Sequence, residues 1–185
     1  RGGAAGLYSD ARIIHPMRWT VTHGDILDVP ADVLVCSANV WLNLSGGVGG
    51  TILLRHGPAM QDQLHRWLAS RGLRHAPPGT VVETAPHGLP VRAVLHAVAV
   101  DGFDESSVDR VRACVASALT MAADLDARRV ALAALATGFG RMSLSAFATA
   151  VAPLLALDVP PVSEVTICVR HADERDGLAR ALRLL

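Results

Sequence analysis

The chain contains no lysine: all seventeen members of its Lys/Arg set are arginines. Any mechanism that needs a lysine nucleophile is therefore excluded. Aromatic residues make up only 4% of the sequence, so Ala, Val and Leu must fill most of the interior. Neither sign of charge is in excess, with 17 basic against 17 acidic residues. That balance disfavours a nucleic-acid backbone as partner, since such binders carry a basic surplus, but it leaves room for a small anion held by backbone amides. No apolar run approaches the roughly 18 residues that cross a bilayer, so no membrane partner is expected. The three cysteines, Cys36, Cys114 and Cys168, lie far apart without CxxC spacing. They read as buried reduced thiols in a reducing, cytoplasmic setting, and no signal-peptide pattern is visible. The eight histidines show no HExxH or Cys/His spacing, so neither a metal nor a cofactor is expected.

What is present is enough for one core. The 185 residues are 51% apolar and 18% charged, which favours a single folded domain over two domains or a disordered chain. The Gly/Ala-rich start predicts a flexible segment over 1–8, with one domain over 9–185. A short extended piece is expected at Ala11–His15. From Met17 to His23 apolar and polar residues alternate, the period of a half-buried strand. Val33–Ser37 is almost continuously apolar, as in a strand covered on both faces. Further strands are expected at Thr80–Thr84, Val91–Val100, Arg129–Leu135 and Val165–Val169. Between them, helical periods appear: one broken at Gly57-Pro58, with Pro58 opening a second helix; one capped by Ser106 or Ser107, with Val108, Val111, Val115, Leu119 and Ala122 as its stripe; one carrying Leu144, Phe147, Val151 and Leu155, which Pro153 kinks or ends early; and a last one carrying Leu178 and Leu182. This alternation predicts a three-layer α/β/α sandwich with a mixed, largely parallel central sheet, its mixed edge formed by the strands at the start.

In such sheets ligands bind where strands end and loops lead into helices. Two loops there are glycine-rich: Ser45-Gly-Gly-Val-Gly-Gly50 after the Val33–Ser37 strand, and Thr137-Gly-Phe-Gly140 after the Arg129–Leu135 strand. Glycine lets a backbone approach a ligand closely, and amides at a helix N-terminus favour an anion. Two such loops side by side can grip a diphosphate without any Lys or Arg. Neither loop matches GxGxxG, and no GxxxxGK[ST] occurs.

Taken in order, four segments resemble the macrodomain family over most of the chain: His23-Gly-Asp-Ile26; Ala31 to Asn39 with Ser45-Gly-Gly-Val48; Pro78-Gly-Thr80 through His96-Ala-Val98; and Leu135-Ala-Thr-Gly-Phe-Gly140. The resemblance implies a mixed sheet between helices and ADP-ribose, or an ADP-ribosylated macromolecule, as partner. It implies that Asp25 accepts a hydrogen bond from the adenine amine with the Ile26 backbone beside it, and that Asn39 bonds the distal ribose. It implies that Gly46, Gly47 and Val48 lie along the distal ribose and phosphate, and that Thr137, Gly138, Phe139 and Gly140 form the diphosphate loop. A carboxylate suits an adenine amine, and a side-chain amide, both donor and acceptor, suits ribose hydroxyls. Plainer roles also fit: Asp25 organising a turn, Asn39 capping a strand end, Phe139 in the core.

The sequence departs from the family where chemistry would occur. Hydrolytic members often carry an acidic residue after the Gly-Gly-Val; here that position is Gly49. The family's first Asn falls on Cys36, so a polar contact is lost. An aromatic often stands near the distal ribose at the position of Gly140, and Phe139 is the neighbour that can compensate. The paired glutamates of the glycohydrolase branch are absent. His96 near a strand end can face the cleft, although a partly buried, hydrogen-bonded histidine fits it better; Asp101 or Asp104 can supply a carboxylate by another route, and Arg170 or His171 can stack on adenine. Catalytic residues stay unassigned. The leading expectation is a reader of ADP-ribosylation. The alternatives are an ADP-ribosyl hydrolase or O-acetyl-ADP-ribose deacetylase with a divergent site, and a protein-interaction domain whose cleft has decayed.

Overall fold

The computed structural model describes residues 16–184 of the chain; the segment expected over 1–8 and the extended piece at Ala11–His15 lie outside the described residues. Six strands form one sheet: β1 Arg18–His23, β2 Val33–Ala38, β3 Val81–Thr84, β4 Ala93–Val98, β5 Arg129–Ala133 and β6 Glu164–Val169. Their order across the sheet is β1-β6-β5-β2-β4-β3. Every neighbouring pair is parallel except β3 with β4. The sheet is mixed, as expected, but its antiparallel edge is β3 and not the strand at the start. β1 runs beside β6 with Trp19 opposite Val165 and Val21 opposite Ile167. The physical reason is the connection: β3 and β4 are joined by a short turn around Pro86–Pro90, which returns the chain antiparallel, whereas β1 reaches its partner only after the rest of the domain has been wound.

The helices are α1 Gly47–His56, α2 Ala59–Ala69, α3 Val108–Asp124, α4 Leu144–Val151 and α5 Ala172–Ala181. α1 and α2 pack on each other and against β2 and β3, while α3, α4 and α5 form a row against β4, β6 and β1. Helices thus cover the sheet in two layers. Val33 to Cys36 of β2 and all of β4 are buried, which is why those runs read as continuous apolar stretches rather than as alternations.

Local signals set the ends. The Ser107 hydroxyl accepts from the Arg110 amide at 3.2 Å and starts α3. Ser143 does the same for α4 through Ala146. Pro58 sits at the cap of α2, one residue before the position expected for it. Pro153 does not simply end α4: the chain tightens into a 3-10 turn over Ala152–Ala156, which keeps Leu154 buried. β4 and β5 are shorter than expected. Ala99 and Val100 after β4, and Leu135 and Ala136 after β5, are buried by loops rather than by strand pairing, whereas Val91 before β4 is only partly buried. No helix among the described residues is long and apolar enough to cross a membrane.

Candidate ligand-binding site

Five strands run parallel, so their carboxyl ends share one rim of the sheet. A cleft of about 830 Å³ opens there. All ten residues expected at a ligand site line it: Asp25 and Ile26 after β1; Asn39, Gly46, Gly47 and Val48 after β2; Thr137, Gly138, Phe139 and Gly140 after β5. Arg170 and His171 after β6, and Asp104 after β4, line it too.

The first glycine loop ends at Gly46 and Gly47, both at positive φ (69° and 52°), a conformation that a residue with a Cβ resists. No side chain caps α1. Its first-turn amides, those of Gly47, Val48 and Gly49, take no backbone partner among the described residues, as the geometry of a helix start requires. The second loop is held by Thr137, whose hydroxyl donates to the Ala134 carbonyl at 2.8 Å, and by the Met142 amide on the Ala136 carbonyl at 3.0 Å. The amides of Gly138, Phe139 and Gly140 are again without a backbone partner. Backbone N–H groups need hydrogen-bond partners. Six of them, from two loops lining one cleft, make a site for an anion.

The two loops touch. A Cβ built on Gly46 would lie 2.6 Å from the Phe139 ring, so the ring rests directly on the Gly46 backbone. Phe139 is 70% exposed, at the mouth and not in the core. Gly140 has no room for any side chain: a Cβ there would meet the Ala136 carbonyl oxygen and Val100 Cγ1, each at 2.6 Å. An aromatic at that position is sterically excluded, and Phe139 is the aromatic of this loop.

Two expected ligand contacts also serve the fold. The Asp25 carboxylate accepts from the Leu27 amide at 3.0 Å and pairs with Arg55 of α1 at 2.8 Å. It organises its turn as well as lining the cleft, with acceptor sites left over. Asn39 is more fully committed. Its Oδ1 accepts from the amides of Trp41 and Asn43, both at 3.1 Å, and its Nδ2 donates to the Asn43 carbonyl at 2.9 Å and to Ser45 Oγ at 3.4 Å. The insert between β2 and the glycine loop is built on this one amide. From the other side Gln61 of α2 holds it, accepting from the Leu44 amide at 2.6 Å and donating to the Leu42 carbonyl at 2.8 Å.

Other expectations are corrected. For His96 the buried, hydrogen-bonded reading holds, and it does not face the cleft. It is wholly buried on β4, with Nε2 3.0 Å from Thr84 Oγ1 and Nδ1 3.5 Å from Cys36 Sγ. Burial lowers its pKa to about 4, because a charged imidazole would lose its hydration. Cys36 points into the same interior, and burial pushes its thiol up to about 12; the position expected to lose a ligand contact therefore never reaches the cleft. Its neighbour Ser37 does line the cleft, and its hydroxyl accepts from the Ala136 amide at 3.3 Å, tying β2 to the second loop. Alternation along β2 is the signal that separates the two. Asp101 turns away as well: its carboxylate accepts from the amides of Phe103 and Glu105 and faces Arg110, leaving Asp104 as the carboxylate of that loop on the cleft. Trp41, 46% exposed at the rim, went unmarked in the sequence. All three cysteines are buried and free, as expected.

A parallel-sheet rim carrying two glycine loops with open amides on one cleft is the arrangement of an α/β protein with a ligand-sized site at its strand ends. The sequence profile of the Macro domain matches residues 35–151, and the chain belongs to that family. It is 34% identical over 164 residues to a Macro domain-containing protein from the sno 5' region of Streptomyces nogalater, covering 88% of this chain and 91% of that one. It is 34% identical over 120 residues to the O-acetyl-ADP-ribose deacetylase of Enterobacter cloacae subsp. cloacae, covering 64% and 66%. Its fold superposes on a variant of the Oceanobacillus iheyensis macrodomain solved with ADPR, with TM-score 0.81 and 20% identity over 92% of this chain and 95% of that one.

Proposed function

We propose that the cleft binds ADP-ribose, free or attached to a macromolecule, and that the protein reads ADP-ribosylation. The observation that carries this is the pair of open-amide loops facing each other across a cleft of about 830 Å³, a size within the range of small-molecule sites. Asp25 beside Ile26 at one end supplies an acceptor for a base amine, and the loops supply donors for a diphosphate. The structure with ADPR supports the same ligand class. In this reading residues 9–185 act as one domain, and the buried free thiols support a reducing, cytoplasmic setting.

Calorimetric titration with ADP-ribose beside AMP tests it, with Asp25→Ala as control. The expected result is micromolar binding that weakens in the control. At a hundredfold excess over Kd, binding adds about 2.7 kcal/mol, which for a chain of this size raises Tm by about 5–10 °C. No heat and no shift would leave the loops structural and favour the interaction-domain reading.

A hydrolytic reading has one observation in its favour. Asp104 stands on the cleft although Gly49 offers no carboxylate, and a relative is an O-acetyl-ADP-ribose deacetylase. Release of acetate from O-acetyl-ADP-ribose tests it.

A further inference from the structure

Arg170 follows β6, on the side of the cleft where Asp25 lies, yet its guanidinium reaches the opposite wall. A Cβ built on Gly47 would lie 3.5 Å from Arg170 Nη2. The side chain therefore spans the cleft, from the end of β6 to the loop that opens α1. It is exposed, and it takes no carboxylate partner among the described residues. Seven other arginines do have one. The nearest acid in sequence, Glu174, is already engaged: its carboxylate accepts from the backbone amides of Arg170 and His171 at 3.1 and 3.0 Å. An unneutralised guanidinium thus lies beside Gly47, the first residue of α1, where the helix start is itself partly positive. Two positive groups converging on one place are stabilised by an anion between them.

We infer that Arg170 is a ligand-binding residue for the diphosphate, closing over it from the β6 side while the two glycine loops hold it from below, and that it does not serve as a stacking partner for adenine. This rests on the ADP-ribose reading and deepens it: the site selects a ligand with charge at its middle, and the diphosphate is gripped by an arginine as well as by amides, against the sequence expectation that it needs none. A planar fork of donors suits two phosphate oxygens at once.

The test is titration of the wild type, Arg170→Gln and Arg170→Lys with ADP-ribose, ADP and adenosine, at low and high salt. Arg170 is exposed, so unchanged Tm values check that the variants fold. We expect Arg170→Gln to lose about tenfold to a hundredfold in affinity for ADP-ribose and ADP and nothing for adenosine, and to show a weaker salt dependence than the wild type. Arg170→Lys should recover part of the loss. A loss of equal size for adenosine would mean stacking and overturn the inference, as would an Arg170→Gln protein that binds ADP-ribose like the wild type. Those failures are distinct from failure of the ADP-ribose reading, in which the wild type itself would bind none of the three.

Discussion

His96 sits on a strand covered on both faces, and its neighbours fix its protonation. The Thr84 hydroxyl lies 3.5 Å from the Val94 carbonyl and 3.0 Å from His96 Nε2. With Thr84 donating to that carbonyl, Nε2 carries the imidazole proton, and Nδ1 accepts from the Cys36 thiol. Every donor then has an acceptor, and the imidazole is neutral. Its folded pKa of about 4 lies below the ordinary value of 6.5, so between these two values the unfolded chain binds a proton that the folded chain refuses. Stability from this group is complete above pH 6.5 and falls as the pH drops towards 4, by about 3 kcal/mol in all. Asp32 acts in a lower window. Burial opposes its ionisation, but the amides of Arg128 and Arg129 and the Arg129 guanidinium outweigh that and hold its carboxyl below 3.8. Urea unfolding at pH 7 and pH 4.5 should show the loss in the wild type, and His96→Gln, which cannot titrate, should flatten it. An equal pH dependence in the variant would remove His96 as the cause. At this scale the sequence was legible where a role is local: Asp25 before its turn, the serine caps, the glycines. The direction in which His96 and Arg170 point depends on residues 12 to more than 100 positions away, and no local pattern encodes it.

Among the elements, α1 is the one whose sequence looks least like a helix, with Gly47, Gly49 and Gly50 in its first turn. The insert that precedes it explains part of this. A Cβ on Gly49 would lie 3.2 Å from Leu44 Cα and 3.3 Å from its Cδ2, and Leu44 is not free to yield, because Gln61 holds its amide at 2.6 Å. Gly50 has no such neighbour; its nearest atom is Ser45 C at 3.7 Å. Replacing a helical glycine with alanine stabilises by about 0.5–1 kcal/mol where nothing obstructs. Gly50→Ala should therefore raise the unfolding free energy measured in urea by that amount, while Gly49→Ala should give no gain or a loss. Equal gains at both would mean that Leu44 moves aside freely. The same contact bears on chemistry, since an acidic side chain grafted at position 49 would have to displace the insert. The strands and helices themselves were largely readable from apolar period and cap residues. What was not readable was β3 as the antiparallel edge, because pairing direction is decided by connection length and packing rather than by the four residues of the strand.

Across the whole molecule, strand order becomes ligand order. The cleft is lined in sequence along the sheet by Asp25 after β1, Arg170 after β6, the second loop after β5, Asn39 and the first loop after β2, and Asp104 after β4. Four inter-strand steps of about 4.8 Å give a trench of roughly 19 Å, suited to an extended base, diphosphate and sugar. Carboxylates stand at its two ends and open amides in its middle, which is the charge pattern of a ligand anionic at the centre and hydroxylated or amine-bearing at the ends. On the proposed orientation the base lies at Asp25 and the distal sugar at the β4 side, so the two acids have separable duties. Asp25→Ala should weaken ADP-ribose binding by about tenfold, the worth of one hydrogen bond to a charged group. Its broken ion pair with Arg55 is partly exposed and costs no more than about 1 kcal/mol of stability. Asp104→Asn should leave Kd within about twofold, because an amide of the same shape keeps the ligand's place. If the wild type releases acetate from O-acetyl-ADP-ribose, that turnover depends on Asp104: its carboxylate takes a proton from the attacking water as the water oxygen bonds to the acyl carbon, the bond from that carbon to the ribose oxygen breaks, and Asp104 returns the proton to the departing ribose oxygen. Asp104→Asn, which cannot take a proton, should then bind as before and turn over at least a hundredfold more slowly, within the span of a general base's contribution. A variant that kept its rate would remove Asp104 from the chemistry and place the general base elsewhere. One that lost binding and rate together would reverse the orientation, with the base at β4 and the sugar at β1.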